Sequence, residues 1–136
     1  YYLPELYISL TKKLFNFANT SIDISDGLFA DLDKLINKQK LSYKVNISKI
    51  PISKNLKEII LSKKLKKINF VSKGDDYQIL FTASKKKSRI IKRTFKSLGI
   101  KISKIGNISS GAQKSQIIDE KGNKIAIKNK GHFHNF

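Results

Sequence analysis

The chain has no cysteine, which excludes disulfides and thiolate metal sites and is compatible with a reducing cytoplasm, the expected location. No apolar run approaches the ~18 residues that a membrane span needs, so no membrane partner is expected. The start, Tyr1-Tyr2-Leu3-Pro4-Glu5, has no initiator Met and no basic-then-apolar signal pattern, and it reads as a cut from something longer. The sequence also lacks a Gly-x-x-x-x-Gly-Lys-Ser/Thr phosphate loop, a Gly-x-Gly-x-x-Gly, a Gly-x-Ser-x-Gly and any Cys or His metal spacing. If the protein handles nucleotides, it must do so through carboxylates that bridge a metal.

Arginine is nearly absent too: of 28 basic residues only Arg89 and Arg93 are arginine. That matters because the formal net charge of +18 would otherwise make a basic nucleic-acid-binding module the leading idea. Nucleic-acid surfaces favour the planar fork of arginine, so a lysine excess is a weaker sign. Richness in Lys, Ile and Asn together fits an AT-rich coding sequence and solvated lysine faces. A nucleic-acid module predicts binding that weakens steeply with salt, and nucleic acid is not expected as a partner.

Acidic residues are scarce and therefore informative. Of ten, Asp23, Asp26, Asp31 and Asp33 fall in one short stretch, and Asp75 and Asp76 in another. With 136 residues the chain is long enough for one domain with a real core and too short for two.

Pro4 to Phe17 reads as a helix with a Leu6, Leu10, Leu14 stripe. Thr20 to Ile24 reads as a strand, and Gly27 to Lys38 as a helix that Asp26 can cap. Tyr43, Val45 and Ile47 alternate as a half-buried strand, and Pro51 and Ser53 precede a Lys-studded helix bearing Leu56, Ile59 and Ile60. Asn69 to Asp76 reads as a loop pivoting on Gly74. Tyr77 to Thr82 is the most apolar strand and is expected at the centre of the sheet. From Ser84 a helix buries Ile90, Ile91, Phe95 and Leu98 and stops at Gly99. Ile100, Ile102 and Ile105 alternate, Gly106 to Gly111 reads as a loop, and Gln116–Ile118 with Lys124–Ile127 as a hairpin. Alternating elements early and strands late predict an α+β domain with a mixed sheet and helices packed on it.

The organising stretch is Ser21-Ile22-Asp23-Ile24-Ser25-Asp26-Gly27-Leu28, a strand-to-helix turn with Asp23, Ser25 and Asp26 at its tip. A helix cap is the plainer account of Ser25 or Asp26, but it explains one of these residues and not all three. Asp23 lies between two isoleucines in a strand, where an unpaired buried charge is costly and a metal compensates. Mg²⁺ takes oxygen ligands, often one or two carboxylates with substrate phosphates and water, and a helix N-terminus adds donors for anions. Gly74-Asp75-Asp76-Tyr77 is by itself a turn entering a strand. In the tail, His132 and His134 lack a carboxylate partner, and Phe133 or Phe136 could stack on a flat heterocycle.

These strings resemble a known family. Ser21 to Leu28, followed by Ala30-Asp31-Leu32, resembles the IDISDGLxADL signature of thiamine-monophosphate kinase. Gly74 to Thr82 resembles its GEDYELLFT segment, with Asp75 and Gln78 where glutamates are usual. Tyr2-x-Pro4 resembles the YxRPxP entry into the second domain, Ile105-Gly-Asn-Ile108 with Gly111 the IGxIxxG loop, and Gly131 to Phe136 the terminal GYxHF element.

The resemblance implies a three-layer α/β/α fold like the C-terminal domain of aminoimidazole ribonucleotide synthetase-like proteins. Residues 1–136 would be that single domain of a two-domain kinase whose dimerising N-terminal domain is absent. It implies ATP- and Mg²⁺-dependent phosphorylation of thiamine monophosphate to thiamine diphosphate, with a homodimer at full length. Asp23 is implied as a magnesium ligand, Asp26 as a ligand to a further magnesium and Ser25 as an ATP contact. Asp75, Asp76 and Phe133 are implied as contacts to the thiamine substrate. No residue stands out as a catalytic base, and the acceptor phosphate, already an anion, needs none. Half an active site implies little or no activity for the chain alone. A closer rival is another ATP-dependent enzyme of the same superfamily, against which the Asp-x-Ser-Asp-Gly-Leu string argues.

Overall fold

The computed structural model describes residues 8–36, 39–71, 78–111 and 113–126. Tyr2, Pro4, Gly74, Asp75, Asp76, Tyr77 and the aromatic tail with His132, Phe133 and His134 lie outside the described residues. The described part mixes helix and sheet, in keeping with the α+β expectation.

Helix α1 (Ile8–Leu14) buries Leu10 and Leu14, one turn apart, and leads through Phe17 into strand β1 (Ala18–Asp23). Helix α2 (Leu28–Leu35) follows, burying Leu28, Phe29, Leu32 and Leu35 on one face. Strand β2 (Leu41–Asn46) buries Tyr43 and Val45. After a short 3₁₀ turn, Ser53 caps helix α3 (Lys54–Ser62) by accepting the Leu56 N–H at 3.2 Å. Helix α4 (Ile68–Val71) and strand β3 (Ile79–Ala83) come next. Ser84 caps a 3₁₀ turn that runs into helix α5 (Ser88–Ser97), and strands β4 (Gly106–Ser110) and β5 (Gln116–Ile118) close the order.

Strands pair in two groups. β1 and β3 form an antiparallel ribbon, with Asp23 opposite Ile79 and Ile22 opposite Leu80. β2 is flanked by β4, antiparallel, and by β5, parallel, which makes that sheet mixed as expected. The larger core cluster gathers α2, β2, Ile47, Ile50, Val71 and Ile117. A second cluster joins Leu10, Leu14, Phe17 and Phe95, with Phe17, Phe81 and Phe95 in mutual ring contact at 5.6–6.3 Å between centroids.

The ribbon lies between these clusters, which corrects the central placement expected for β3. Among the described residues β3 pairs with β1 alone. Its continuous apolar run arises because both faces are packed: Leu80 against the larger cluster, Ile79 and Phe81 against the second. Burial on two faces produces the sequence pattern of a central strand without central pairing.

Four further expectations are corrected. Residues 100–105 form no strand, and Ile102 is 39% exposed; Ile100 and Ile105 pack on different clusters. The expected Gly106–Gly111 loop is instead largely strand β4. Gly106 sits against β2 so closely that a Cβ there would lie 2.4 Å from the Lys44 carbonyl oxygen, so this glycine serves close approach and not a turn. Ile90 is 41% exposed because the inward stripe of α5 is Ile91, Phe95 and Leu98, one step round the helix. The expected hairpin is reduced to β5 and one antiparallel bridge, Ile118 to Lys124, around a Gly122 turn that the Asp119 carboxylate braces.

Candidate functional site

The turn from β1 into α2 is built by one glycine and one buried acid. Ile24 is buried, and its N–H still donates to the Gln78 carbonyl at 2.9 Å, so the chain leaves the ribbon at Ser25. Gly27 then takes φ 126° and ψ 147°, a conformation that residues with a Cβ rarely adopt. This bend brings three successive N–H groups onto a single oxygen. Asp31 Oδ2 accepts from Ser25, Asp26 and Gly27 at 2.9, 3.0 and 3.3 Å.

Asp31 has no exposed side-chain surface and reaches back over the first turn of its own helix, where a negative charge meets the positive end of the dipole. Its Oδ1 accepts from the Lys34 ammonium at 2.8 Å, and the same ammonium is also paired with Asp26. Burial pushes the Asp31 carboxyl up, but the Lys34 bond and the Ser25 and Asp26 N–H groups outweigh it and hold it below the ordinary value. The hydrogen bond to Asp26, then that to Asp31, raises Lys34 above its ordinary value.

Three expectations change here. Neither Ser25 nor Asp26 caps α2: the N-cap is Gly27, with no side-chain cap bond. Asp23 is exposed and not buried, because strand alternation sends Ile22 and Ile24 inward and Asp23 outward, so no desolvated charge has to be compensated. The N–H groups of residues 25–27 are used on Asp31 and are not free to hold an anion.

The structure thus brings Asp23, Ser25 and Asp26 together on one turn. Asp23 and Ser25 face solvent, while Asp26 is half-buried, its side chain 20% exposed, and bound to Lys34. No group of three His, Asp or Glu arranged to hold an ion occurs among the described residues. The donor set nonetheless suits a hard divalent cation that takes one or two carboxylates and fills the rest of its shell with water or phosphate. The ammonium on Asp26 shows that this position accommodates positive charge. A groove lined by Lys86, Ser88, Arg89 and Lys92 holds none of the expected site residues.

Sequence reasoning missed the bracing by Asp31 and Lys34. The usable signal was their i, i+3 spacing, with Asp31 four residues after a glycine that opens a helix.

No protein-family model matches the chain. Curated relatives do. Thiamine-monophosphate kinase of Buchnera aphidicola subsp. Schizaphis graminum is 37% identical over 120 residues, 88% of this chain and 36% of the relative. The same enzyme of Buchnera aphidicola subsp. Acyrthosiphon pisum is 38% identical over 135 residues, 96% of this chain and 40% of the relative. The chain therefore spans well under half the length of these relatives. Among solved structures, thiamine-monophosphate kinase from Stenotrophomonas maltophilia K279a aligns with a TM-score of 0.69 at 28% identity, over 84% of this chain and 35% of that one. A structure described as AaThiL complexed with AMPPCP and TMP aligns with a TM-score of 0.70 at 28% identity, over 96% of this chain and 38% of that one. The chain is a homologue of thiamine-monophosphate kinase, matching part of that protein.

Proposed function

We propose that the chain is the C-terminal domain of a two-domain thiamine-monophosphate kinase, which transfers a phosphoryl group from ATP to thiamine monophosphate. One observation carries this reading: the Asp23-to-Gly27 turn is braced from within by Asp31, so that Asp23, Ser25 and Asp26 are presented on a fixed loop. The likeness to kinases, one of them complexed with AMPPCP and TMP, supports the substrate class.

Phosphoryl transfer asks a protein mainly for positioning and for neutralising charge. Asp23 and Asp26 would hold Mg²⁺, which when bound offsets the negative charge of the ATP phosphates. Ser25, exposed between them, would donate its hydroxyl to a phosphate oxygen. Asp31 contributes rigidity: its four accepted hydrogen bonds fix the loop before substrate arrives, so little ordering is left to occur on binding. Asp75, Asp76 and Phe133 would contact the thiamine substrate, an assignment that rests on the sequence strings. A partner domain would complete the site, and the whole protein would act as a cytoplasmic homodimer.

ADP release with ATP, Mg²⁺ and thiamine monophosphate tests the proposal, measured on the whole gene product that contains Tyr1–Phe136 and on the 136-residue chain. Turnover by the former that needs thiamine monophosphate is expected. A gene product that folds and does not turn over refutes the function. Full turnover by the chain alone refutes the need for a second domain.

A further inference from the structure

Lys34 lies on the solvent side of α2, its side chain 48% exposed, and its ammonium joins Asp26 to Asp31. The two carboxylates are not equivalent. Asp31 is buried, with one oxygen filled by three N–H groups, and is fixed in place. Asp26 is partly exposed and eight residues from Lys34 in sequence, on the loop that Asp31 braces. The lysine stem is flexible, so the ammonium can leave Asp26 and keep its bond to Asp31. An exposed ammonium–carboxylate pair is weak, and a divalent cation that takes carboxylate oxygens and water as ligands can compete with it for Asp26.

We infer that Lys34 is an exchangeable counter-cation of Asp26. It bridges Asp26 and Asp31 and offsets one of their two negative charges when no divalent cation is present, and it moves aside from Asp26 when one binds there. The inference rests on Asp26 being a cation ligand. It assigns Lys34 two effects: the loop stays formed without metal, and the apparent affinity for the cation is lowered by the competition. Lys34 is a positioning and affinity-setting residue here, with no contact to the reacting groups.

The experiment is a Mg²⁺ titration of the isotopically labelled whole gene product followed by NMR at the Asp26 carboxyl carbon, the Lys34 ammonium nitrogen and the Asp31 carboxyl carbon. Asp26 and Lys34 are expected to shift with one shared midpoint while Asp31 and the amides of residues 25–27 change little. Binding of Mn²⁺, measured by paramagnetic resonance, is expected to be about fivefold tighter in Lys34→Gln than in the wild type, the strength of one exposed ion pair expressed as a binding ratio. Gln keeps an N–H for Asp31 without the charge, and Lys34→Arg, which keeps the charge, gives no gain. A Lys34 signal that stays still while Asp26 shifts overturns the exchange and leaves Asp26 a ligand, as does a Lys34→Gln affinity no tighter than wild type. No response at Asp26 overturns both the exchange and the metal assignment.

Discussion

Replacing Asp31 with asparagine tests the bracing of the turn most sharply. The side chain is fully buried and accepts four hydrogen bonds, three from consecutive backbone N–H groups and one from an ammonium. Hydrogen bonds to a charged group contribute roughly 1.5–3 kcal/mol each, but these share one carboxylate and do not add. Asparagine fits the volume and keeps a carbonyl oxygen for some of the N–H groups. It loses the charge and turns an NH₂ toward Lys34, where donor meets donor. The expected loss is about 2–4 kcal/mol, just under the range for breaking a buried ion pair. Urea unfolding at neutral pH, with an unchanged m-value, measures it. Hydrogen exchange adds a local reading: the Ser25, Asp26 and Gly27 amides should lose protection ahead of the rest. The pH dependence has a definite sign. Because the folded Asp31 carboxyl lies below its ordinary 3.8, its contribution is fully present above that value and is lost as the pH falls through the lower folded one. Asp31→Asn should lack that acid-sensitive component. Stability within about 0.5 kcal/mol of wild type, with amide protection intact, refutes the bracing argument.

Three other perturbations separate the parts of the fold. Gly27→Ala forces a Cβ onto φ 126° and should cost about 1–3 kcal/mol in urea unfolding, with spectral changes centred on residues 25–31. Gly106→Ala places a methyl 2.4 Å from the Lys44 carbonyl and should split β4 from β2, seen as lost amide protection in Leu41–Asn46 while the β1–β3 ribbon is kept. Phe95→Ala removes one ring of the Phe17, Phe81, Phe95 triangle and should cost about 3–5 kcal/mol; a cost under ~1 kcal/mol would mean that α5 does not pack on the ribbon.

Much of this was legible in the sequence because it followed from periodicity. The leucine stripe of α1, the apolar face of α2 and the alternation of β2 each declare an element and its buried side. What the sequence did not declare depends on contacts distant along the chain. Gly106 looks like loop punctuation until Lys44 is seen against it. β3 looks central because two clusters cover its two faces, a tertiary fact. At the site, the grouping of Asp23, Ser25 and Asp26 was legible, and its cause was not. The same Asp-Gly string serves a cap, a turn or a ligand loop, and only the side-chain path of Asp31 back to three amides separates these. Lys34 read as one more solvated lysine among many, and its pairing with Asp26 required three-dimensional placement.

The central claim is that the turn carrying Asp23 and Asp26 forms one wall of a magnesium and phosphate site. Asp23→Asn in the whole gene product tests it most directly, because Asp23 is exposed and its loss leaves the fold's interior untouched. Turnover of ATP with thiamine monophosphate should fall by about a hundredfold or more, with the unfolding midpoint unchanged. Turnover within twofold of wild type contradicts the claim.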